Sequence, residues 1–198
     1  MMARMKQSNE WESRYQQGQT GWDRCGVSPN LLYWLENKIL KPCRILVPGC
    51  GNGHEVLALA EKGFDVVAID IAQSPIETLI KSFKINWLQA ELIQTDFLSW
   101  ECKKPFDAIY EQTSLCALHP SEWNRYENCL YDWLTSKGQL FAHFIQTGKN
   151  SGPPFHCDIH VMVNLFSPEK WLWSEEHETQ IVHSDGLYEK VYSLKKTL

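Results

Sequence analysis

Three glycines at alternate positions separate two short apolar runs in the first half of the chain. The runs cover 44–47 and 66–69, and the glycines between them are Gly49, Gly51 and Gly53. After the glycines, apolar residues recur at helical spacing as far as Gly63, a residue type that commonly ends helices. Asp70 directly follows the second run. The segment predicts the order strand, glycine loop, helix, strand, with the strands parallel and buried.

This order predicts a ligand that contains a nucleoside. A glycine turn that leads into a helix presents free backbone N–H groups, and a carboxylate after the next strand can accept hydrogen bonds from ribose hydroxyls. The spacing here is G-x-G-x-G, so the third glycine comes one residue earlier than in the dinucleotide fingerprint. No lysine follows the glycines, as a phosphate-binding P-loop would require.

Composition narrows the class of protein. The 198 residues are 43% hydrophobic, which suits one globular domain over 1–198, and the net charge is −5. With a negative net charge, the chain is not expected to bind nucleic acid, because that binding depends on basic side chains that neutralise the phosphates. No apolar run approaches the roughly 20 residues of a membrane span, and no signal peptide is recognisable, so a cytoplasmic protein is predicted.

The seven cysteines form no C-x-x-C pair. We interpret most as reduced packing residues; Cys50 lies inside the glycine loop, where a redox role is the alternative.

Five motifs in unbroken order resemble the thiopurine S-methyltransferase family, a class I family that includes thiol and halide methyltransferases. They are EWESRYQQGQTGWD, VPGCGNG, VVAIDIAQSPIE, YEQTSLCALHP and GPPF. The resemblance implies an α/β fold, the three-layer α/β/α class I methyltransferase (Rossmann-like) fold. Its sheet would be mostly parallel and seven-stranded, with a C-terminal antiparallel hairpin, whose turn we expect at 184–186.

The same resemblance implies the chemistry. S-Adenosyl-L-methionine would be the cofactor and S-adenosyl-L-homocysteine its product, and no metal would be needed. The methyl group would pass by direct S_N2 transfer to a small soft nucleophile, such as a thiol or thiopurine sulfur, a halide, or a selenium or tellurium species. The protein would align the reacting atoms and exclude water. A His, Cys and Asp cluster at 156–160 matches no common zinc spacing.

The candidate cofactor residues follow the motifs. Asp96 and Phe97, after the predicted third strand, would hold the adenine, with a plain turn as the alternative role for Asp96. The full set comprises Trp11, Trp22, Gly49, Cys50, Gly51, Gly53, Asp70, Thr95, Asp96, Phe97 and Glu111. Trp11 and Trp22 have ordinary packing as their alternative.

The candidate catalytic residues, Glu111 and Gln112, end the predicted fourth strand. Glu111 is interpreted as a general base, a cofactor ligand or a structural group. Mammalian-type thiopurine enzymes have arginine where this chain has Gln112, which brings no positive charge to an anionic substrate. Substrate-binding candidates are Tyr15, Trp22, Gln112, Leu115 and Phe155.

Residues 9–40 are interpreted as an N-terminal helical lid over cofactor and substrate. Asn9 is predicted to cap its first helix, and Ser28 to cap a second helix that starts at Pro29. The predicted buried face of the second helix consists of Leu31, Leu32, Leu35 and Ile39.

Two alternatives stay open at this stage: a dinucleotide-dependent oxidoreductase, and a catalytically silent protein that binds S-adenosylmethionine. The expected partner is a small-molecule substrate, and a monomer is predicted. The sequence does not name the physiological methyl acceptor.

Overall fold

The computed structural model describes residues 2–174, 179–182 and 187–197, with side chains for 8–174 and 187–197. The chain forms two compact units, 1–101 and 102–198. The single-domain organisation over 1–198 stays a prediction. None of the helices in the described part of the chain combines the length and apolar character that a membrane crossing requires.

The first unit begins with two helices, α1 (Met2–Gln16) and α2 (Pro29–Glu36). The prediction that Asn9 caps a helix is wrong, because α1 starts at Met2 and Asn9 lies inside it. No glycine or proline interrupts 2–16, and side-chain pairs one turn apart support the helix, such as Arg14 to Glu10 at 3.0 Å. The interpreted lid, 9–40, therefore starts in the middle of a helix.

The second helix differs from its prediction in two ways. Ser28 stands at the cap position before Pro29, but its hydroxyl makes no capping hydrogen bond. The buried face contains Leu31 and Trp34, whereas Leu32 and Ile39 are exposed. Trp34 lies three residues after Leu31 and therefore shares its face of the helix. The predicted face contained aliphatic residues only, and so it omitted Trp34.

The predicted strand, loop, helix, strand segment is confirmed. Strand β1 (Arg44–Pro48), helix α3 (His54–Glu61) and strand β2 (Asp65–Asp70) are followed by α4 (Gln73–Ile85) and β3 (Glu91–Gln94). Both strand pairs are parallel, in the order β3-β2-β1, with Val47 opposite Ala68 and Asp70 opposite Gln94. Strand β2 is buried at every position after Asp65, as expected for a strand covered on both faces.

The second unit holds β4 (Phe106–Gln112), α5 (Trp123–Trp133), β5 (Leu134–Gln146) and α6 (Ile159–Leu165). Strands β4 and β5 are parallel, with Glu111 opposite Ala142 and Gln112 opposite His143. Asp158 caps α6 by accepting hydrogen bonds from the backbone N–H groups of His160 and Val161, so a helix rather than a strand follows it.

Three antiparallel pairings complete the second unit. Strand β8 (Tyr188–Lys196) pairs with β5, with β6 (Trp171–Trp173) and with β7 (Thr179–Val182). The predicted C-terminal antiparallel hairpin is therefore confirmed in β7 and β8. The turn predicted at 184–186 lies outside the described residues.

Candidate active site

The glycine loop follows β1 in a conformation that ordinary side chains avoid. Gly49, Gly51 and Gly53 have φ of +58°, +51° and +71°, in the left-handed region that glycine enters without strain. A Cβ atom on Gly53 would overlap the side chain of Leu79 in α4, and one on Gly51 would lie 3.0 Å from the hydroxyl of Tyr15. Both positions are thus closely packed by other side chains, Leu79 at Gly53 and Tyr15 at Gly51, and only glycine fits there.

Asp70 lies at the end of β2 and is 5% exposed. Its Oδ2 atom accepts a hydrogen bond from the Gly51 N–H at 2.9 Å, and its Oδ1 atom accepts one from the Ala72 N–H at 2.8 Å. Burial raises the pKa of the Asp70 carboxyl, and the backbone donors oppose that rise. Each carboxylate oxygen has two lone pairs, so Asp70 can hold the loop and still accept hydrogen bonds from a ligand.

Cys50 lies within the glycine loop and is buried. Burial, and then the charge of Asp70, raise the pKa of its thiol well above the ordinary value. A thiol that stays protonated is a poor nucleophile and a poor redox group, so the packing role of Cys50 is favoured over the redox role.

The three candidate residues after β3 lie beside β2. The Thr95 N–H donates to the backbone oxygen of Asp70 at 2.9 Å. Asp96 accepts from the Leu98 N–H at 3.0 Å, the hydrogen bond of a tight turn, and Phe97 is half-buried. A turn role for Asp96 is therefore seen directly, and adenine binding stays a prediction.

The aromatic candidates of the N-terminal segment form one cluster. Trp22 meets Trp11 edge to face at 5.2 Å and Tyr15 at 5.6 Å between ring centroids, and it hydrogen-bonds to the Tyr15 hydroxyl. Burial, followed by the charge of Asp70, raises the pKa of Tyr15, which keeps the phenol neutral. Since that hydroxyl also faces Gly51, Tyr15 joins the aromatic cluster to the glycine loop.

Two carboxylates that the sequence analysis missed fasten the N-terminal segment. Glu12 accepts hydrogen bonds from the N–H groups of Gln73 and Ser74, at 2.7 Å and 2.9 Å, and from the Ser74 hydroxyl, and so caps α4. Asp23, in the loop after α1, contacts Asn52 and His54 on either side of Gly53. No sequence pattern indicates that these two acidic residues bind groups so far away in the chain.

In the second unit, Glu111 is 1% exposed near the end of β4. Its Oε1 atom accepts a hydrogen bond from the Leu115 N–H at 2.7 Å, whereas Oε2 has no partner among the described residues. Burial, opposed by the N–H groups of Leu115 and Ser114, raises the pKa of Glu111 to about 8. At neutral pH the carboxyl is therefore mostly protonated, which makes it a weak base there and leaves it well suited to hold the turn after β4.

Gln112 is held at both ends of its amide. The Tyr110 hydroxyl donates to its Oε1 atom at 2.8 Å, and its Nε2 atom donates to Oε2 of the buried Glu189 at 3.4 Å. Glu189 also lies 2.7 Å from Nδ1 of His143, whose side chain is likewise buried. The network spans β4, β5 and β8, and sequence spacing could not have revealed it.

The apolar candidates of the second unit come together. Leu115 is buried beside the equally buried Cys116, whose pKa is raised first by burial. The Phe155 N–H donates to the backbone oxygen of Cys116 at 2.8 Å, so the GPPF segment reaches the turn after β4. Among the described residues, no group of three or more His, Cys, Asp or Glu side chains is arranged to hold a metal ion.

Comparison with known proteins identifies the family. The model of the thiopurine S-methyltransferase family matches residues 6–197. The chain belongs to the thiopurine S-methyltransferase family. It is 30% identical over 164 residues to "Probable thiol methyltransferase 2" of Arabidopsis thaliana, covering 81% of this chain and 73% of that protein. It is 28% identical over 163 residues to "Thiocyanate methyltransferase 1" of Brassica oleracea, covering 80% and 71%.

A solved structure shows the same fold. The Burkholderia thailandensis 1,6-didemethyltoxoflavin-N1-methyltransferase, with bound 1,6-didemethyltoxoflavin and S-adenosylhomocysteine, superposes with a TM-score of 0.80. The identity is 16%, over 100% of this chain and 89% of that one. The predicted Rossmann-like class I methyltransferase fold is thus confirmed.

The chain is an S-adenosylmethionine-dependent S-methyltransferase. Nothing in the relatives described supports the dinucleotide-dependent oxidoreductase or the catalytically silent alternative. The buried Asp70 beside the glycine loop fits a nucleoside cofactor, because its carboxylate keeps lone pairs that can accept hydrogen bonds from ribose hydroxyls.

Proposed function

We propose that this methyltransferase acts on a small thiol or another small soft nucleophile, in preference to an acidic thiopurine. The observation that carries the proposal is the state of Gln112. Its amide is neutral, and both its ends already bind protein groups, Tyr110 and Glu189. An arginine at this position would offer a fixed charge and a planar fork of donors to an anionic ring, and glutamine offers neither.

Several relatives are named thiopurine S-methyltransferase, and others carry names that indicate a small acceptor. One is described as acting on thiols and another on thiocyanate. Phe155 is half-buried and lies against the backbone of the buried Cys116, so its ring offers apolar surface of the kind that strips water from a sulfur nucleophile. A thiol has a pKa of about 8.5, so some thiolate exists near neutral pH without a strong base.

On the cofactor side, we propose that the glycine loop and Asp70 hold the nucleoside, with Thr95, Asp96 and Phe97 at the base. When bound, S-adenosylmethionine supplies a methyl group that its sulfonium charge already activates. The chain's own residues then have to orient the acceptor and keep water out. Neutral aromatic faces suit a cationic ligand, and these are Trp11, Tyr15 and Trp22.

We also propose a domain organisation, an oligomeric state and a location for the enzyme. Residues 9–40 would act as the lid, and 1–198 as one methyltransferase domain. The enzyme would work as a cytoplasmic monomer without nucleic acid, in keeping with its net charge of −5.

The deciding experiment compares kcat/KM for a small thiol and for a thiopurine, in the wild type and in Gln112→Arg. We expect the wild type to favour the thiol and the variant to shift the ratio toward the thiopurine. The control is Gln139→Arg, which adds the same charge at a half-buried position of β5. A wild type that prefers the thiopurine, or a ratio that Gln112→Arg leaves unmoved, would contradict the proposal.

A further inference from the structure

Asp23 follows Trp22 in the loop between α1 and α2, and only 12% of its side chain is exposed. Its Oδ2 atom accepts a hydrogen bond from Nδ2 of Asn52 at 2.5 Å, and its Oδ1 atom lies 2.9 Å from Nε2 of His54. Oδ1 also accepts from the Cys25 N–H at 2.8 Å, which fixes the loop around the carboxylate.

The partners of Asp23 stand on both sides of one glycine. Asn52 lies between Gly51 and Gly53, and His54 is the first residue of α3. Burial raises the pKa of Asp23, but the hydrogen bonds from its partners more than offset this, so its pKa is lowered. The carboxylate is therefore ionised at neutral pH, where hydrogen bonds to a charged acceptor are stronger than neutral ones.

We propose that Asp23 is a positioning residue that couples the loop carrying Trp22 to the glycine loop, and so controls how tightly the cofactor is held. The inference rests on the cofactor site proposed above. It does not depend on which nucleophile accepts the methyl group.

Two other contacts hold the loop that contains Asp23, one before it in the chain and one after it. Before the loop, Glu12 caps α4, and after it the Ser28 N–H donates to Oε1 of Glu55 at 2.9 Å. Asp23 lies between these two anchors. The loop has to open for the cofactor to leave, and it can do so by breaking the Asp23 contacts while both anchors stay in place.

The loop has open space beside its glycines. Its glycines have nothing within 4 Å of the position that a Cβ atom would occupy, and these are Gly18, Gly21 and Gly26. The position of Trp22 is therefore set by the clamp from Asp23 to Asn52 and His54, together with the contacts of its ring with Trp11 and Tyr15 in α1.

The test measures binding of S-adenosylhomocysteine to Asp23→Ala by calorimetry, and its release by stopped-flow tryptophan fluorescence. We expect the dissociation constant to rise about 10- to 100-fold, as for loss of hydrogen bonds to a charged group, mainly through faster release. The KM for S-adenosylmethionine should rise with it, while kcat at saturating cofactor stays within about twofold. A purely structural role would not separate KM from kcat in this way.

The matched control is Asp65→Ala. Asp65 is an exposed carboxylate of the same unit, paired with Arg44 at 2.7 Å at the start of β2, and its loss should leave cofactor binding unchanged. Asn52→Ala probes the clamp from the other side and serves if Asp23→Ala does not fold. In the double variant, the two effects should be less than additive.

Unchanged release of S-adenosylhomocysteine from either folded single variant would overturn the coupling role of Asp23. Fully additive effects in the double variant would overturn it as well. Failure of the wild type to bind S-adenosylhomocysteine is a separate result, which would overturn the proposed cofactor site itself.

Discussion

The Oδ2 atom of Asp70 accepts a hydrogen bond of 2.9 Å from the backbone N–H of Gly51. The carboxylate that ends β2 thus holds the loop that follows β1, and the two sequence motifs form one structural unit. A carboxylate with lone pairs to spare can hold the loop and still accept a hydrogen bond from a ligand.

Replacing Asp70 tests this double role. We expect Asp70→Ala to weaken binding of S-adenosylhomocysteine by roughly 1–3 kcal/mol, the range for leaving hydrogen-bonding groups unpaired. Calorimetric titration of the folded variant measures the loss. Asp132→Ala, at an exposed position of α5, is the control. Wild-type affinity in folded Asp70→Ala would remove Asp70 from the cofactor site.

The third glycine of the loop can be tested against a glycine of similar backbone conformation. Gly53→Ala meets Leu79, whereas Gly63, at φ +83°, has open space around its Cβ position. Both variants suffer the strain of a left-handed backbone, so their difference isolates the packing clash. We expect Gly53→Ala to cost roughly 1–3 kcal/mol more in the free energy of unfolding, measured with urea. Equal losses would show that Leu79 moves aside freely.

Glu111 predicts a pH-dependent stability. Its pKa is about 8 in the folded protein, above the ordinary value of 4.5, so folding favours the protonated form. The stability that this group contributes is complete below about pH 4.5 and is lost as the pH rises toward 8. Glu111→Gln keeps the neutral shape, so its melting temperature relative to the wild type should rise between pH 5 and 9. A constant difference across that range would contradict the raised pKa.

The rate should follow ionisation of the substrate. With two thiols of different acidity, we expect the inflection in the pH profile of kcat/KM to move with the pKa of the thiol, which is about 8.5 for an ordinary one. The profiles for wild type and Glu111→Gln provide the check. An inflection shared by both thiols and lost in Glu111→Gln would instead identify Glu111 as the base.

Hydrogen exchange should separate the loop from the helix before it. We expect amides in 17–28 to become more protected when S-adenosylhomocysteine is added, because the proposed lid would close over the ligand. Amides of α1 near Glu12 should change less, since Glu12 already fastens that helix to α4. If the exchange of the amides in 17–28 is the same with and without S-adenosylhomocysteine, the segment is not a lid.

Sequence reasoning succeeded where the signal is local. The glycines before α3 and the apolar run that ends at Asp70 each restrict a few adjacent residues, and the structure confirms the elements that they predicted. The sequence-based predictions were wrong where tertiary packing determines the limits of a helix or its buried face. The start of α1 was misplaced because 2–16 is mostly polar, and Leu32 was assigned to a buried face that Trp34 occupies.

The contacts that complete the candidate site join distant parts of the chain. Asp23 is 29 residues from Asn52, and Gln112 is 77 residues from Glu189. An acidic residue in a polar segment looks like solvated surface, and no spacing rule indicates which remote donor it will meet. Polar residues of this kind become interpretable only once the backbone brings their partners together.

The capping of α4 by Glu12 also bears on the order of events during synthesis. The two capped residues, Gln73 and Ser74, lie 61 and 62 residues after Glu12, and a chain grows from its N-terminus. The residues of α1 are therefore synthesised well before those of its docking partner, and their attachment is a late, non-local step in the folding of the first unit. A nascent chain arrested before residue 73 would carry β1, α3 and β2 but leave Glu12 without these partners.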